Sequence, residues 1–92
     1  MMRIHVRFAG YFRTLAESSS LELEMANDAT VEDALAQLNN LLDGRFHKVF
    51  YTQEGGSTAP NCLFLIDTEV VDRDVILQDG NVLAIVPPMA GG

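Results

Sequence analysis

Five consecutive apolar residues, Val82–Val86 (VLAIV), followed at once by Pro87 and Pro88, constrain this chain more than any other stretch. An unbroken apolar run of this length fits a strand covered on both faces, as central and parallel-paired strands are. Proline cannot donate to a sheet ladder and fixes its own φ, so the strand ends where the prolines begin. The fold must therefore place other strands on both sides of VLAIV and a covering layer above it. LQDGN, residues 77–81, supplies the turn that leads in.

The neighbours are legible by their period. In RIHVRF, Ile4, Val6 and Phe8 alternate with Arg3, His5 and Arg7, and in SLELEMA, Leu21, Leu23 and Met25 alternate with Glu22 and Glu24. Both read as half-buried strands. If they pair, Arg3 and Arg7 meet Glu22 and Glu24 across the ladder, each pair contributing about 0.2–1 kcal/mol. The connection AGYFRTLAESS carries Phe12 and Leu15 and has room for a helical turn. In TVEDALAQLNNLLDG the period becomes helical: Val31, Ala34, Leu35, Leu38 and Leu42 share a face, Thr30 caps the first turn with Asp33 three residues on, and Gly44 suits the exit. Residues 45–60 read as an irregular crossing with Phe46, Val49 and Phe50 under the core and Gly55 to Ala59 in an exposed loop. NCLFLIDTEVV reads as a strand, a tight turn at Asp67-Thr68 and a short return strand. These elements predict one α+β domain over residues 1–92, a mixed sheet of four to five strands packed on one main helix, with a flexible tail at 87–92.

Composition narrows the chemistry. The 92 residues carry 13 acidic and 6 basic side chains, a formal charge of −7. That disfavours nucleic acid, whose phosphates recruit Lys and Arg, and suits a basic protein partner, although acidic side chains also simply keep a small domain soluble. One cysteine, Cys62, and two distant histidines give neither a disulfide framework nor metal-ligand spacing, so no metal is expected. The absence of a spanning apolar stretch or a signal-like start predicts no membrane association and a cytoplasmic location. No nucleophile elbow, phosphate-cradling glycine loop or HExxH pair is present, so the isolated chain is not expected to be catalytic. Cys62 is a candidate thiol nucleophile by type, but its apolar strand context favours an inert core residue.

The tail PPMAGG remains. Pro87 and Pro88 direct the chain outward. Met89, Ala90, Gly91 and Gly92 then span about 13 Å at 3.3–3.6 Å per residue, enough to enter a neighbouring protein's active site. Glycines without Cβ atoms let such a tail pass a narrow channel. What it delivers is the α-carboxylate of Gly92, ionised at neutral pH and unreactive until activated. Adenylation with ATP by a partner makes AMP the leaving group. A sulfur nucleophile then yields a thiocarboxylate and a lysine amine yields an isopeptide bond. A terminal Gly-Gly alone also fits a frayed end.

LQDGNVLAIVPPMAGG, with TVEDALAQL before it, resembles the MoaD and ThiS group of ubiquitin-like sulfur carriers, most closely the small subunits of molybdopterin synthase, across essentially the whole chain. The resemblance implies a β-grasp fold. It implies that Gly92 is adenylated by an E1-like enzyme of the MoeB/ThiF type, which uses ATP, while the carrier binds no cofactor of its own. The sulfur is then carried as a thiocarboxylate and inserted, with Pro87, Pro88, Met89, Ala90 and Gly91, into a MoaE-like large subunit that builds the molybdenum or tungsten cofactor. Related carriers serve thiazole synthesis, tRNA thiolation or protein modification, and a third possibility is a β-grasp interaction module whose tail does nothing. The length of the segment from Arg45 to Pro60 favours the MoaD-like form. By the same resemblance, Phe8 and Phe64 belong to an apolar sheet face that docks the partner.

Overall fold

The computed structural model describes residues 1–51 and 62–87. Its elements run β1 (Met2–Phe8), α1 (Phe12–Ala16), β2 (Ser20–Met25), α2 (Val31–Leu41), α3 (His47–Tyr51), β3 (Leu63–Ile66), β4 (Glu69–Val71) and β5 (Val82–Val86). The five strands form one mixed sheet in the order β2-β1-β5-β3-β4, with β5 at its centre, parallel to β1 and antiparallel to β3. This is the β-grasp arrangement.

The central position of β5 follows from its sequence, but only one of its faces is closed. Leu83 and Ile85 are fully buried against the helical layer, whereas Val82, Ala84 and Val86 on the other face are half-buried. The expectation that VLAIV is covered on both sides is therefore corrected. A run apolar at every position needs a layer on each face only if both faces are core, and here no element lies over the second among the described residues.

The first hairpin keeps the predicted alternation. Ile4 and Val6 are wholly buried, and Leu23 and Met25 nearly so. Its register places Arg3 opposite Glu24, His5 opposite Glu22 and Arg7 opposite Ser20. Arg3 consequently reaches Glu22 at 3.7 Å and Glu24 at 4.0 Å, and His5 Nδ1 lies 3.2 Å from Glu22. Arg7 does not join a Glu, because the ladder has run past both of them.

Helix α2 is held at its start by a reciprocal capping box: the Asp33 amide donates to Thr30 Oγ1 at 3.2 Å and the Thr30 amide donates to Asp33 Oδ2 at 2.9 Å. Two further amides that a helix end leaves unpaired, those of Val31 and Glu32, donate to the carbonyls of Val75 and Arg73 at 2.9 and 2.8 Å. The stretch between β4 and β5 thus straps the helix to the sheet.

Residues 47–51, expected to be irregular, form α3. A five-residue helix has little stability of its own. Here Phe46 and Phe50 drop into the core, with Phe46 ring centroids 5.5 Å from Phe8, 5.8 Å from Phe12 and 5.1 Å from Phe50. Tertiary packing makes the turn. The Asp67-Thr68 turn has positive φ at both residues, +50° and +77°, as a two-residue hairpin connection requires. The loop expected at Gly55 to Ala59 lies outside the described residues.

Candidate functional site

The root of the tail is built by three elements. β5 runs through the middle of the sheet to Val86, and the Ala9 amide donates to the Ile85 carbonyl at 3.1 Å just beyond the end of β1. Pro87 then packs on Gly10. A Cβ added at Gly10 would sit 2.9 Å from Pro87 Cγ, and Gly10 holds φ +59°. Both the space and the backbone conformation require glycine, so Gly10 is the floor on which the tail's first proline rests. Its carbonyl accepts from the Arg13 amide at 3.2 Å, which links the floor to α1. Pro88, Met89, Ala90, Gly91 and Gly92 lie outside the described residues.

Beside this root the outer sheet face is divided. On one half stand Arg3, His5 and Arg7 of β1 with Glu22 and Glu24 of β2. On the other, the registers bring Val82, Ala84 and Val86 of β5 level with Leu63 and Leu65 of β3 and Val70 of β4. Val70 is 65 % exposed, and Leu65, Val82 and Ala84 line a depression of about 500 Å³ with Arg7, Phe8, Asp67 and Thr68. An apolar patch beside a charged strip, close to the end of β5, is suited to a protein surface.

Phe8 lies at the edge of that depression, whereas Phe64 does not line it. They are 5 % and 6 % exposed and belong to the core, Phe8 against Phe46 and Phe64 against Phe50. The period of β1 already puts Phe8 on the face of Ile4 and Val6, and Phe64 pairs with Ile85 on the same inner side. Leu65, one residue on, is the outward-facing neighbour that the resemblance did not single out; alternation along LFLI was the available signal.

Cys62 is 4 % exposed. Burial pushes its thiol up from 9.0 to about 11, with the Arg73 guanidinium pulling weakly the other way. It is therefore a protonated core residue at neutral pH rather than a nucleophile. Arg73 itself ties the edge of the sheet to the helical layer. It meets Glu32 at 3.3 Å, donates to the Phe50 carbonyl, and lies 5.7 Å and 5.4 Å over the rings of Tyr51 and Phe64.

Comparison with known proteins agrees with this architecture. The sequence model of the ThiS family matches residues 6–92. The chain is 33 % identical over 95 residues to small archaeal modifier protein 3 of Haloferax volcanii, covering 99 % of this chain and 100 % of that one. Its fold superposes with TM-score 0.83 on a candidate molybdopterin converting factor, subunit 1, from Pyrococcus furiosus, at 24 % identity over 97 % of this chain and 100 % of the other. It also resembles a chain in the complex of subunits 1 and 2 of the molybdopterin-converting factor from Helicobacter pylori, with TM-score 0.60 and 23 % identity over 99 % and 100 % of the two chains. With a central strand delivering a proline-stopped tail beside an open apolar face, and a family match over nearly its whole length, this chain belongs to the ThiS family of ubiquitin-like proteins.

Proposed function

We propose that the chain is a sulfur carrier for molybdopterin synthesis, working through the carboxylate of Gly92. The observation that carries this reading is the tail root: a central strand, anchored on both sides, ends on Pro87 seated against Gly10, with an apolar docking face alongside. A rigid root aims the residues beyond it, and the patch of Leu65, Val70, Val82 and Ala84 supplies the contact that holds a partner while the tail is engaged.

A carboxylate oxygen of Gly92 attacks the α-phosphorus of ATP bound by an E1-like adenylating enzyme. Pyrophosphate leaves and an acyl adenylate forms. A sulfide equivalent then adds to the acyl carbon, the carbon–oxygen bond to AMP breaks, and a thiocarboxylate remains, with no change in oxidation state. The same face then docks a large synthase subunit, as the two-subunit assembly of the Helicobacter pylori relative suggests. There the sulfur passes to a pterin precursor and water restores the carboxylate.

The name of the Haloferax volcanii relative favours a second reading, a protein modifier, in which a lysine amine instead of sulfide displaces AMP. One experiment separates them. The chain is incubated with ATP, an adenylating enzyme from the same organism and sulfide, and its intact mass is measured. Replacement of one oxygen by sulfur at Gly92 is the expected result, abolished by one extra residue after Gly92. Products joined to lysines in its place would move the assignment to the modifier, and sulfur gain by the extended variant would overturn both.

A further inference from the structure

The serine run Ser18-Ser19-Ser20, which joins α1 to β2, has no part in the tail or in the apolar face. It is sewn to the elements on either side. The Ser18 amide donates to the Arg13 carbonyl at 3.1 Å, and the Phe8 amide donates to the Ser19 carbonyl at 3.0 Å. The hairpin register then sets Ser20 opposite Arg7. Directly opposed residues share a face of the sheet, so the Arg7 side chain stands beside that of Ser20. The result is one depression of about 390 Å³, with Arg7 from β1, Arg13 from α1, and Ser19 and Ser20 in its wall.

Among the described residues these donors are not used elsewhere. Arg7 and Arg13 are exposed and enter no ion pair there, whereas Arg3, Arg45 and Arg73 each meet a glutamate. The hydroxyls of Ser19 and Ser20 take part in no hydrogen bond there either; it is Ser18 Oγ that donates to the Ser20 carbonyl, at 2.6 Å. One acid, Glu22, also lines the depression, and its carboxylate is held by His5 Nδ1 at 3.2 Å and by Arg3 at 3.7 Å. Asp67 shares the neighbouring depression with Arg7 but accepts from Asn81 Nδ2 at 3.3 Å instead. Charges farther than about 8 Å are largely screened at 0.15 M ionic strength, so the formal −7 of the chain does not decide what binds here. Phe8, Leu21 and Val82 complete the wall with apolar surface.

We propose that this depression is a binding site for a phosphate-type dianion, either inorganic phosphate or a small phosphate monoester. Each guanidinium offers a planar pair of N–H donors that matches two phosphate oxygens, and the two hydroxyls rotate to add further donors. A doubly charged ligand with several oxygens engages both arginines at once; a single carboxylate satisfies one fork. The organic part of a monoester rests on Leu21 and Val82. The site is made by β1, α1 and the start of β2, and it does not depend on the reading of the tail.

The test is an NMR titration of the isotope-labelled full chain with inorganic phosphate, phenyl phosphate or acetate, the ionic strength being held at about 0.15 M with NaCl. Both phosphates are expected to give saturable shifts at the amides of Arg7, Arg13, Ser19 and Ser20, with a Kd on the order of 1 mM, and acetate to bind at least about tenfold more weakly. Arg7→Gln/Arg13→Gln should weaken phosphate at least about tenfold, while Arg45→Gln/Lys48→Gln, which removes the same charge from the helical side, stays within about twofold of wild type. Arg7→Lys/Arg13→Lys keeps the charge without the planar fork and should fall between them. Tighter binding of phenyl phosphate than of inorganic phosphate identifies the ligand as a monoester, and equal affinities identify it as the free ion. Shifts that do not saturate, acetate bound as well as phosphate, or a glutamine variant that binds like wild type overturns the site.

Discussion

The two faces of the sheet differ in what they ask of their residues. On the helical side Ile4, Val6, Leu83 and Ile85 have no exposed surface and are locked among α2, α3 and the aromatic cluster. On the outer side Val82, Ala84 and Leu65 sit on the same strands, one residue away, and are only half-covered. Neighbouring residues of one strand thus stand in different surroundings, one closed in the core and the other half-covered. If the proposed docking face is right, stability and recognition are interleaved at a period of two, and substitutions separate them.

The largest effect belongs to the inner face. Leu83→Ala is expected to cost about 2–5 kcal/mol in chemical denaturation, the range for emptying a closed core site. The tail root comes next. Gly10→Ala meets Pro87 and an unfavourable positive φ, and about 1–3 kcal/mol of destabilisation is expected, with slower thiocarboxylate formation at saturating partner because Pro87 is displaced. A variant as active as wild type would show that the floor under Pro87 does not aim the tail.

A smaller, pH-dependent effect marks Cys62. Its folded pKa lies above the ordinary 9.0, so its contribution is complete below pH 9 and declines as the pH rises toward about 11, since the unfolded thiol ionises first. Denaturation midpoints should fall over that window in wild type and fall less in Cys62→Ala. The smallest change in stability is expected for Leu65→Gln/Val70→Gln on the outer face, about 1 kcal/mol at most. This pair should nonetheless weaken partner binding about tenfold through the loss of apolar contact. If it unfolds the protein instead, the division between the faces is wrong.

Much of this plan was legible. Alternation located β1 and β2, Thr30 and Asp33 marked the start of α2, and the all-apolar run placed β5 at the centre. What was hidden depended on partners distant in sequence. α3 exists because Phe46 and Phe50 find Phe8, Phe12 and Phe64, which no local propensity reveals. The open side of β5 could not be told from a covered one, because hydropathy reports what a face tolerates and not what lies over it. Arg7 was misassigned for want of the hairpin register, and the register leaves it opposite a serine. At the site, the prolines were readable in order, while nothing local marks Gly10, 77 residues earlier than Pro87, as their support.

The central place of β5 also has a mechanical meaning. A partner that draws on the chain beyond Pro87 pulls along the strand axis, against ladders to β1 on one side and β3 on the other. Those hydrogen bonds run across the direction of pull, so they resist together in shear instead of opening one at a time like a zipper. Force applied at Pro87 is thus spread over both flanking ladders of the sheet.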